Sequence, residues 1–310
     1  MRVVFFGTPE FAVPSLQALV EAGVDVAAVV TAPDRPKGRG RKLAAPPVKE
    51  AALSLSLPVW QQASVRSGEF IGRVAELAPD FLAVVAYGLI LSPELLAVPR
   101  HMCVNVHPSL LPRYRGPAPI PWALINGDSV TGVTTMAMDQ GMDSGGILLQ
   151  ERDSILDTDT AESMHDRLAG MGARLLVRTL DEIANGCLQA VPQDPAGVTI
   201  ASRLSKEDGR IEWNRSARDL SCFVRGMFPW PGAFTTADGQ RLKLLFASVW
   251  PENTSAEPGT VLAGGDRGLL VATREGVLAV TRLQAEGGKP MPAGEYLRGK
   301  PIAVGSRLGM

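Results

Sequence analysis

The chain has 310 residues, of which 45% are hydrophobic and 20% are charged. This balance excludes a fibrous or an intrinsically disordered protein, and the length is sufficient for two domains with apolar cores of their own. The net charge of -1 gives the molecule as a whole no electrostatic bias toward nucleic acid.

The first half of the chain alternates short apolar runs with helical patterns. Four continuous apolar runs predict buried strands at Arg2–Phe6, Val24–Thr31, Asp80–Ala86 and Met102–Val106. Helical spacing of apolar residues follows the first run, and further helical stretches lie between the later ones. Continuous apolar strands suit a parallel sheet that is covered on both faces. The alternation therefore predicts a doubly wound, Rossmann-like α/β domain.

A glycine-rich turn then separates two further predicted strands, Thr131–Met138 and Ile147–Gln150. A helix is predicted from a capping pattern at Asp159 to Gly186, with Met and Leu residues at helical spacing. We interpret this apolar stripe as core packing. The next stretch, Pro192–Thr199, contains two prolines and a glycine and has no periodicity, which is typical of a linker.

Short alternating segments characterise the chain beyond Ser205. A helix is predicted at Ser216–Met227, and strands separated by turn signals are predicted at Ala233–Thr236, Leu242–Val249, Gly259–Leu262, Leu269–Thr273 and Val277–Leu283. Regularly spaced short strands with one helix predict a small OB-like β-barrel, a fold that often binds nucleic acids. The predicted organisation is an α/β domain at 1–189, a linker at 190–204 and the smaller OB-like domain at 205–310.

The end of the fourth predicted strand carries the first candidates for chemistry. Ligands of open α/β sheets bind beyond the carboxyl ends of the strands. Asn105 and His107 share one side of the chain there, because side chains alternate along an extended segment. Asp143 lies in a glycine-flanked turn, which can bring its carboxylate close to a ligand. An amine that attacks a carbonyl needs an oxyanion donor, a proton acceptor and a group that stabilises the imidazolium, and these residues offer all three.

The same pattern also fits an interpretation without catalysis, in which His107 is an ordinary loop histidine and Asp143 a turn former. Other kinds of chemistry have less support. The first strand is not followed by G-x-G-x-x-G, and the sequence has neither a G-x-x-x-x-G-K-[ST] phosphate loop nor a G-x-S-x-G elbow. The three histidines lack metal-ligand spacing, so we expect no metal.

The sequence also indicates a compartment. The N-terminus becomes polar after a few residues, and no apolar run is long enough to span a bilayer. The three cysteines are far apart and show no C-x-x-C spacing, which argues against a disulfide framework and fits a reducing compartment. We therefore expect a cytoplasmic protein that does not associate with membranes.

Basic residues cluster in one segment of this nearly neutral chain. Asp34 is the only acid between positions 34 and 49, and the bases there are Arg35, Lys37, Arg39, Arg41, Lys42 and Lys49. A solvated surface loop is the simpler interpretation. A phosphate-rich partner is the alternative, because clustered Lys and Arg neutralise phosphates.

Two long motifs resemble those of a known family. The segment NVHPSLLPRYRGPAPI at Asn105–Ile120 resembles the signature of the 10-formyltetrahydrofolate-dependent formyltransferases, and MDQGMDSG at Met138–Gly145 is similar to their second motif. The resemblance implies formyl transfer from 10-formyltetrahydrofolate to an amine. It also implies a catalytic trio of Asn105, His107 and Asp143, and a folate-binding element formed by Ser109, Leu110, Leu111 and Pro112. Two residues depart from the common pattern: Gly146 replaces an acid, and Ser144 replaces a threonine.

The rest of the chain resembles the methionyl-tRNA branch of that family, notably FFGTPEFAVPSL at Phe5–Leu16, TAPDRPKGRGRKL at Thr31–Leu43 and FPWPGAF at Phe228–Phe234. This resemblance implies that the acceptor is the α-amino group of methionyl initiator tRNA and that the OB-like domain binds tRNA. It further implies a basic inserted loop at 33–49 that enters the acceptor stem region, with Arg39 at the position of an important arginine. The implied tRNA-binding residues are Arg35, Lys37, Arg39, Arg41 and Lys42, and we expect a monomer.

Two rival functions remain. The first is the same chemistry on another amine, such as an amino sugar nucleotide, which would leave the charges of the basic loop without a purpose. The second is a non-catalytic RNA-binding protein with an OB-like domain. That interpretation leaves the polar cluster of Asn105–Ser109 and Asp143 unexplained.

Overall fold

Two large sheets organise the computed structural model, which describes residues 1–37 and 42–309. The strands are β1 (Arg2–Gly7), β2 (Asp25–Thr31), β3 (Arg35–Lys37), β4 (Lys42–Ala44), β5 (Val59–Gln61), β6 (Phe81–Val85), β7 (Met102–His107), β8 (Val130–Ala137), β9 (Ile147–Ser154), β10 (Ala233–Ala237), β11 (Gln240–Trp250), β12 (Val261–Gly265), β13 (Gly268–Ala272), β14 (Val277–Ala285) and β15 (Met291–Pro292). The α-helices are α1 (Val13–Glu21), α2 (Pro47–Ser54), α3 (Gly68–Glu76), α4 (Pro93–Leu96), α5 (Pro119–Ile125), α6 (Ala161–Ala184), α7 (Ala217–Met227) and α8 (Ala293–Gly299). Short 3₁₀ helices lie at Glu10–Ala12, Pro195–Gly197 and Glu207–Gly209.

The first sheet has the strand order β5-β2-β1-β6-β7-β8-β9. Its first five strands are parallel, and β8 and β9 continue it as antiparallel strands. Every residue of β6 is buried, because its continuous apolar sequence suits a strand covered on both faces. The chain crosses from one side of β1 to the other between β5 and β6, which is the doubly wound arrangement. The predicted α/β fold class is confirmed.

The register of the central strands aligns their carboxyl ends. Gly7 of β1 lies opposite Val85 of β6, and Val85 lies opposite Val106 of β7. The segments that follow these three strands therefore leave the sheet at the same edge. His107, the last residue of β7, extends one position beyond Val106 at this edge.

Several helices begin where the sequence supplies a capping hydroxyl. The Oγ atom of Ser67 accepts a hydrogen bond of 3.2 Å from the amide of Phe70 and caps α3. Ser216 caps α7 in the same way, through the amide of Asp219 at 3.0 Å. Such caps satisfy amides that have no partner within the first turn of a helix. The predicted helix at Ser216–Met227 thus begins at its cap.

The chain forms two compact units. The first comprises Met1–Pro117, Val130–Ser154 and His165–Ala201, and the second comprises Ala118–Ser129, Ile155–Met164 and the chain from Ser202 onward. Two short inner segments thus belong with the C-terminal part of the chain, although they lie within the predicted N-terminal domain. The limits 1–189, 190–204 and 205–310 stay predictions.

The second unit is built on an antiparallel sheet of order β10-β11-β14-β13-β12, with β15 paired to β14. This order joins a hairpin, β10–β11, to a three-stranded meander through the long pairing of β11 with β14. One face of the sheet packs on α7 and α8 around a core that includes Trp213, Phe223 and Leu297. The arrangement agrees with the predicted OB-like domain. Within residues 1–37 and 42–309, no helix has both the length and the apolar character to cross a membrane.

Candidate active site

Strand β7 presents Asn105 and His107 at the carboxyl edge of the first sheet. Asn105 lies opposite Val84, one residue before β6 ends, and its side chain is half-buried. His107 lies opposite Thr134 of β8. Because side chains alternate along a strand, Asn105 and His107 point to the same face. The two residues therefore stand together where the sequence predicts a site.

A hydrogen bond to the backbone sets the tautomer of the neutral His107 imidazole. Its Nε2 atom lies 2.9 Å from the backbone carbonyl oxygen of Tyr114. Because a carbonyl oxygen only accepts hydrogen bonds, Nε2 carries a proton, and Nδ1 is the basic nitrogen of the neutral ring. Burial lowers the pKa of His107, and the nearby Asp143 carboxylate and Tyr114 carbonyl offset only part of this effect. The ring is thus kept neutral, with Nδ1 able to accept a proton.

Asp143 reaches His107 from a loop that folds back along the sheet. This loop, residues 138–146, is called the Asp143 loop; it joins β8 to β9. Strand β8 ends at Ala137, opposite Val104, whereas Thr134 is the residue opposite His107. At ~3.3 Å per residue, the loop returns about 10 Å along β7 to bring Asp143 beside the imidazole.

Close packing of Gly145 supports this folded-back path. A Cβ atom on Gly145 would lie 1.7 Å from the carbonyl oxygen of Ala137, so no larger residue fits here without moving the loop. The loop is also bonded internally, because the Oγ atom of Ser144 donates to Asp139 at 2.8 Å. The backbone amide of Gly141 donates to the same carboxylate at 2.9 Å. The serine that replaces the more common threonine thus supplies a hydroxyl that closes the turn.

The carboxylate of Asp143 connects the two sequence motifs. Its Oδ2 atom lies 3.7 Å from Nδ1 of His107 and accepts a hydrogen bond of 2.8 Å from the amide of Gly116. A separation of 3.7 Å is too long for a hydrogen bond, so the carboxylate acts on the imidazole through its charge. Gly116 has a φ of +117°, and a Cβ atom there would lie 2.7 Å from the carbonyl oxygen of Ala201. Glycine is therefore required where this amide meets Asp143.

The predicted folate-binding element, Ser109–Pro112, forms a firmly bonded loop after β7. The hydroxyl of Thr134 donates to the Ser109 carbonyl at 2.7 Å and accepts from the Leu111 amide at 3.1 Å. The Nε2 atom of Gln150 donates to the Leu111 carbonyl at 2.8 Å and to the Thr134 hydroxyl at 2.9 Å. Ser109 and Leu111 are buried, whereas Leu110 and Pro112 are half-buried. The buried pair contributes to the shape of the loop.

The predicted basic loop includes a short hairpin. Strands β3 and β4 pair antiparallel, with Lys37 opposite Lys42, and Arg35 at the start of β3 is exposed. Arg39 and Arg41 lie outside the described residues. The last residues of the predicted loop, 47–49, belong to helix α2.

A bonded cluster lies at the base of this hairpin. The ammonium group of Lys49 lies 2.8 Å from both carboxylate oxygens of Asp34 and 2.8 Å from the side-chain oxygen of Gln61. Gln61 also donates to Asp34 at 2.6 Å and to the Ala32 carbonyl at 3.0 Å. These hydrogen bonds hold the pKa of the Asp34 carboxyl below its usual range. Lys49 is therefore committed to the base of the hairpin.

Four groups near the candidate site were not predicted from the sequence. They are the Tyr114 carbonyl, the Gly116 amide, the Thr134 hydroxyl and the side chain of Gln193, which donates to the Asp143 loop. Gly116 stands within the motif Asn105–Ile120, and a glycine there was a signal in the sequence, because glycine is the residue that most readily adopts a positive φ. Gln193 lies in the predicted linker, where no pattern distinguishes it from other polar residues.

Models of two protein families match the chain. The model described as formyl transferase matches residues 1–180, and the model described as formyl transferase, C-terminal domain, matches residues 203–301. The chain is 51% identical to the methionyl-tRNA formyltransferase of Pelotomaculum thermopropionicum over 311 aligned residues, which cover 100% of this chain and 99% of the relative. It is 48% identical to the methionyl-tRNA formyltransferase of Geobacter metallireducens, with 100% and 99% coverage.

Solved structures share the fold at much lower sequence identity. An N-formyltransferase from Helicobacter canadensis, in complex with folinic acid and dTDP-3-aminofucose, matches with a TM-score of 0.66 and 17% identity over 90% of this chain and 98% of its own. HypX from Aquifex aeolicus, in complex with tetrahydrofolic acid, matches with a TM-score of 0.65 and 17% identity over 96% of this chain; the match spans 47% of HypX. These identities support a shared fold alone. Because a family model covers residues 1–180 and a relative is 51% identical over the whole chain, the chain belongs to the formyl transferase family.

Proposed function

We propose that the protein transfers the formyl group of 10-formyltetrahydrofolate to the α-amino group of methionyl initiator tRNA. The product is N-formylmethionyl-tRNA, which is used for translation initiation. The observation that carries this proposal is the identity of 48–51% with methionyl-tRNA formyltransferases over the full chain, both family regions included. The protein acts as a monomer in the cytoplasm.

The candidate trio performs the transfer as follows. The amine nitrogen attacks the formyl carbon, and the carbonyl oxygen becomes an oxyanion, to which the Asn105 amide donates a hydrogen bond. His107 accepts the amine proton at Nδ1, directly or through a water molecule, because Nε2 is committed to the Tyr114 carbonyl. The tetrahedral intermediate then collapses as the bond from the formyl carbon to N10 of the folate breaks, and N10 takes up the proton that His107 gives back, directly or through water.

Asp143 acts on His107 in this mechanism through charge. When the imidazole takes up a proton, it becomes a cation 3.7 Å from the Asp143 carboxylate, and the attraction stabilises that state. The Gly116 amide holds the carboxylate in place through a hydrogen bond of 2.8 Å. This geometry supports a base that is neutral at rest and stabilised once charged.

The folate donor binds beside the loop Ser109–Pro112. The support is the position of this loop directly after His107, which ends β7. Folate compounds also occur in the structures of the Helicobacter canadensis and Aquifex aeolicus proteins that share this fold. The buried Ser109 and Leu111 shape the loop, and the half-buried Leu110 and Pro112 are the side chains with surface left for the ligand.

The acceptor tRNA is bound by the basic loop at 33–49 and by the C-terminal domain. Arg35, Lys37, Arg39, Arg41 and Lys42 neutralise phosphates of the acceptor stem. The chain from Thr31 of β2 to Gln61 of β5, which includes the hairpin, begins and ends on paired strands at the edge of the first sheet. We assign catalysis to 1–189, the connection to 190–204 and tRNA binding to 205–310.

The decisive experiment supplies 10-formyltetrahydrofolate with initiator tRNA that carries methionine and measures N-formylmethionine after mild hydrolysis of the ester. Elongator tRNA carrying methionine and a dTDP-linked amino sugar are offered in parallel reactions. Formylation of initiator methionyl-tRNA well above both alternatives supports the proposal. Formylation of the amino sugar alone would establish the rival enzyme, and binding of RNA without any formylation would establish the non-catalytic rival.

A further inference from the structure

The side chain of Gln193 has four hydrogen bonds that join the two motif regions. Its Nε2 atom donates to the backbone carbonyl of Asp143 at 2.8 Å and to that of Gly145 at 2.7 Å. Its Oε1 atom accepts from Nε of Arg115 at 3.0 Å and from Nη2 at 2.8 Å. Both amide hydrogens and the amide oxygen are thus engaged, and the side chain is half-buried.

The segment around Gln193 is itself fixed to the first unit. The amide of Ile147 donates to the Val191 carbonyl at 2.8 Å, and the Val191 amide returns a bond of 2.8 Å. Farther on, the Thr199 hydroxyl accepts from the Tyr114 amide at 2.8 Å. Gln193 therefore projects from a segment that is held on both sides, by strand β9 and by the loop that follows His107.

The Asp143 loop needs such support. Its two ends are attached to the sheet, because the Met138 amide donates to the Cys103 carbonyl at 2.9 Å and the Ala137 amide donates to the Gly146 carbonyl at 2.9 Å. Between these ends the loop returns about 10 Å along β7, and the bonds of Asp139 with Gly141 and Ser144 close the turn internally. The Gly116 amide holds the Asp143 side chain, and Gln193 holds the backbone of this part of the loop. The attraction between Asp143 and His107 depends on their separation of 3.7 Å. A loop that moved outward would weaken the charge that stabilises a protonated His107.

We propose that Gln193 is a positioning residue for formyl transfer, which holds the Asp143 loop against the loop of Arg115 and Gly116 and so keeps Asp143 beside His107. Gln193 takes no part in proton transfer and acts through Asp143. The kinetic tests of this proposal rest on the proposed function, whereas the hydrogen-exchange test of the Asp143 loop does not.

The test compares three variants of Gln193 and its neighbour. Gln193→Met keeps the length of the side chain and removes all four hydrogen bonds. Gln193→Glu keeps an acceptor for Arg115 but replaces the two donors with an oxygen that repels the Asp143 and Gly145 carbonyls. Asp194→Ala is the matched control, because the Asp194 side chain accepts a hydrogen bond from the Ala196 amide within the same segment and, among the contacts of the described residues, makes no bond to the Asp143 loop.

We expect both Gln193 variants to lower kcat by about 10- to 100-fold, because small displacements of catalytic groups have effects of this size. The KM values for the folate donor and the tRNA change far less than kcat, and Asp194→Ala retains wild-type kinetics. A merely structural role predicts that Gln193→Glu, which still pairs with Arg115, remains active. Full activity of either Gln193 variant would overturn the proposal.

A double-mutant cycle tests whether Gln193 acts through Asp143. In an Asp143→Asn background, whose carboxylate charge is already gone, we expect Gln193→Met to reduce kcat by less than about threefold further. Independent, multiplying effects would contradict the proposal. Hydrogen exchange provides the readout that needs no substrate: amides of the Asp143 loop exchange faster in Gln193→Met and at the wild-type rate in Asp194→Ala. Unchanged exchange in Gln193→Met would overturn the proposal even if the enzyme formylated a different amine.

Discussion

The backbone carbonyl of Tyr114 lies 2.9 Å from Nε2 of His107 and thereby decides which ring nitrogen is free to take up a proton. The other nitrogen, Nδ1, is the one that faces Asp143 at 3.7 Å. The Tyr114 carbonyl and the Asp143 carboxylate thus act on different nitrogens of the same imidazole. The carbonyl sets the tautomer of the neutral ring, and the carboxylate stabilises the ring when it becomes charged.

The first prediction concerns the pKa of His107. Burial lowers this pKa and outweighs the upward effect of Asp143, so we expect a value below the ordinary histidine value of about 6.5. Asp143→Asn removes the charge that raises the pKa, so its His107 should titrate at a still lower pH. NMR titration measures both values, with the other two histidines of the chain in the same spectrum as references.

The lowered pKa of His107 also affects the pH dependence of kcat/KM. The amino group of the substrate titrates at a higher pH than His107, so kcat/KM declines first as this amino group is protonated. A base with a lowered pKa stays deprotonated to a lower pH, so the further decline that reports on His107 lies at its own lowered pKa. The substrate amino group is the same for the wild-type enzyme and for Asp143→Asn, so a difference between their pH profiles reports on His107. A higher His107 pKa in Asp143→Asn would contradict the assignment of Asp143.

Asn105 provides the second prediction. If its amide donates to the oxyanion, Asn105→Ala lowers kcat by roughly a hundredfold or more, the usual effect of losing one such donor. The hydrogen bond to the oxyanion forms in the transition state and contributes little to binding of the substrate before reaction. We therefore expect only a small change in folate affinity. Steady-state kinetics and equilibrium binding of a folate measure the two effects. Near-normal turnover of Asn105→Ala would exclude the oxyanion role.

The sequence predicts the strands that carry long apolar runs, and the ends of β1, β2 and β7 differ from prediction by a single residue. Strands β3 and β5 have three residues each and were not predicted. Three residues are too few to establish a period, so pairing in the sheet decides their conformation.

The candidate site was predictable where side chains follow a strand pattern, as Asn105 and His107 do. Its other contacts arise from backbone atoms, such as the Tyr114 carbonyl and the Gly116 amide, which every sequence contains and only the folded loop directs. Gln193 escaped prediction because an aperiodic segment resembles a linker. Its contacts depend on the path of the chain beside the Asp143 loop, and amino-acid composition does not predict that path.

The third prediction concerns the Ser109–Pro112 loop. Thr134→Val removes the hydroxyl that bonds the Ser109 carbonyl and the Leu111 amide, and it leaves these buried groups without a partner. We expect a loss of about 1–3 kcal/mol in the free energy of unfolding. We also expect a higher KM for the folate donor, because the loop loses its fixed shape.

Thr131→Val is the matched control for this substitution. Thr131 lies on the same strand, is also buried, and points to the opposite face from Thr134, because the two positions differ by an odd number of residues. Denaturant unfolding and donor-dependent kinetics compare the two variants. An unchanged KM for the donor in Thr134→Val would separate this loop from folate binding.

The last prediction separates two basic residues of the inserted loop by their roles. Arg39→Ala removes a phosphate contact, so the KM for tRNA rises, and the slope of log affinity against log salt decreases in magnitude by about one. Lys49 instead bonds Asp34 and Gln61 at the base of the hairpin. Lys49→Met should therefore raise the KM for tRNA by loosening the hairpin while the salt slope stays unchanged. Both variants retain the wild-type KM for the folate donor. A reduced salt slope in Lys49→Met would mean that this ammonium group meets the RNA, and an unchanged slope in Arg39→Ala would remove Arg39 from the tRNA contact.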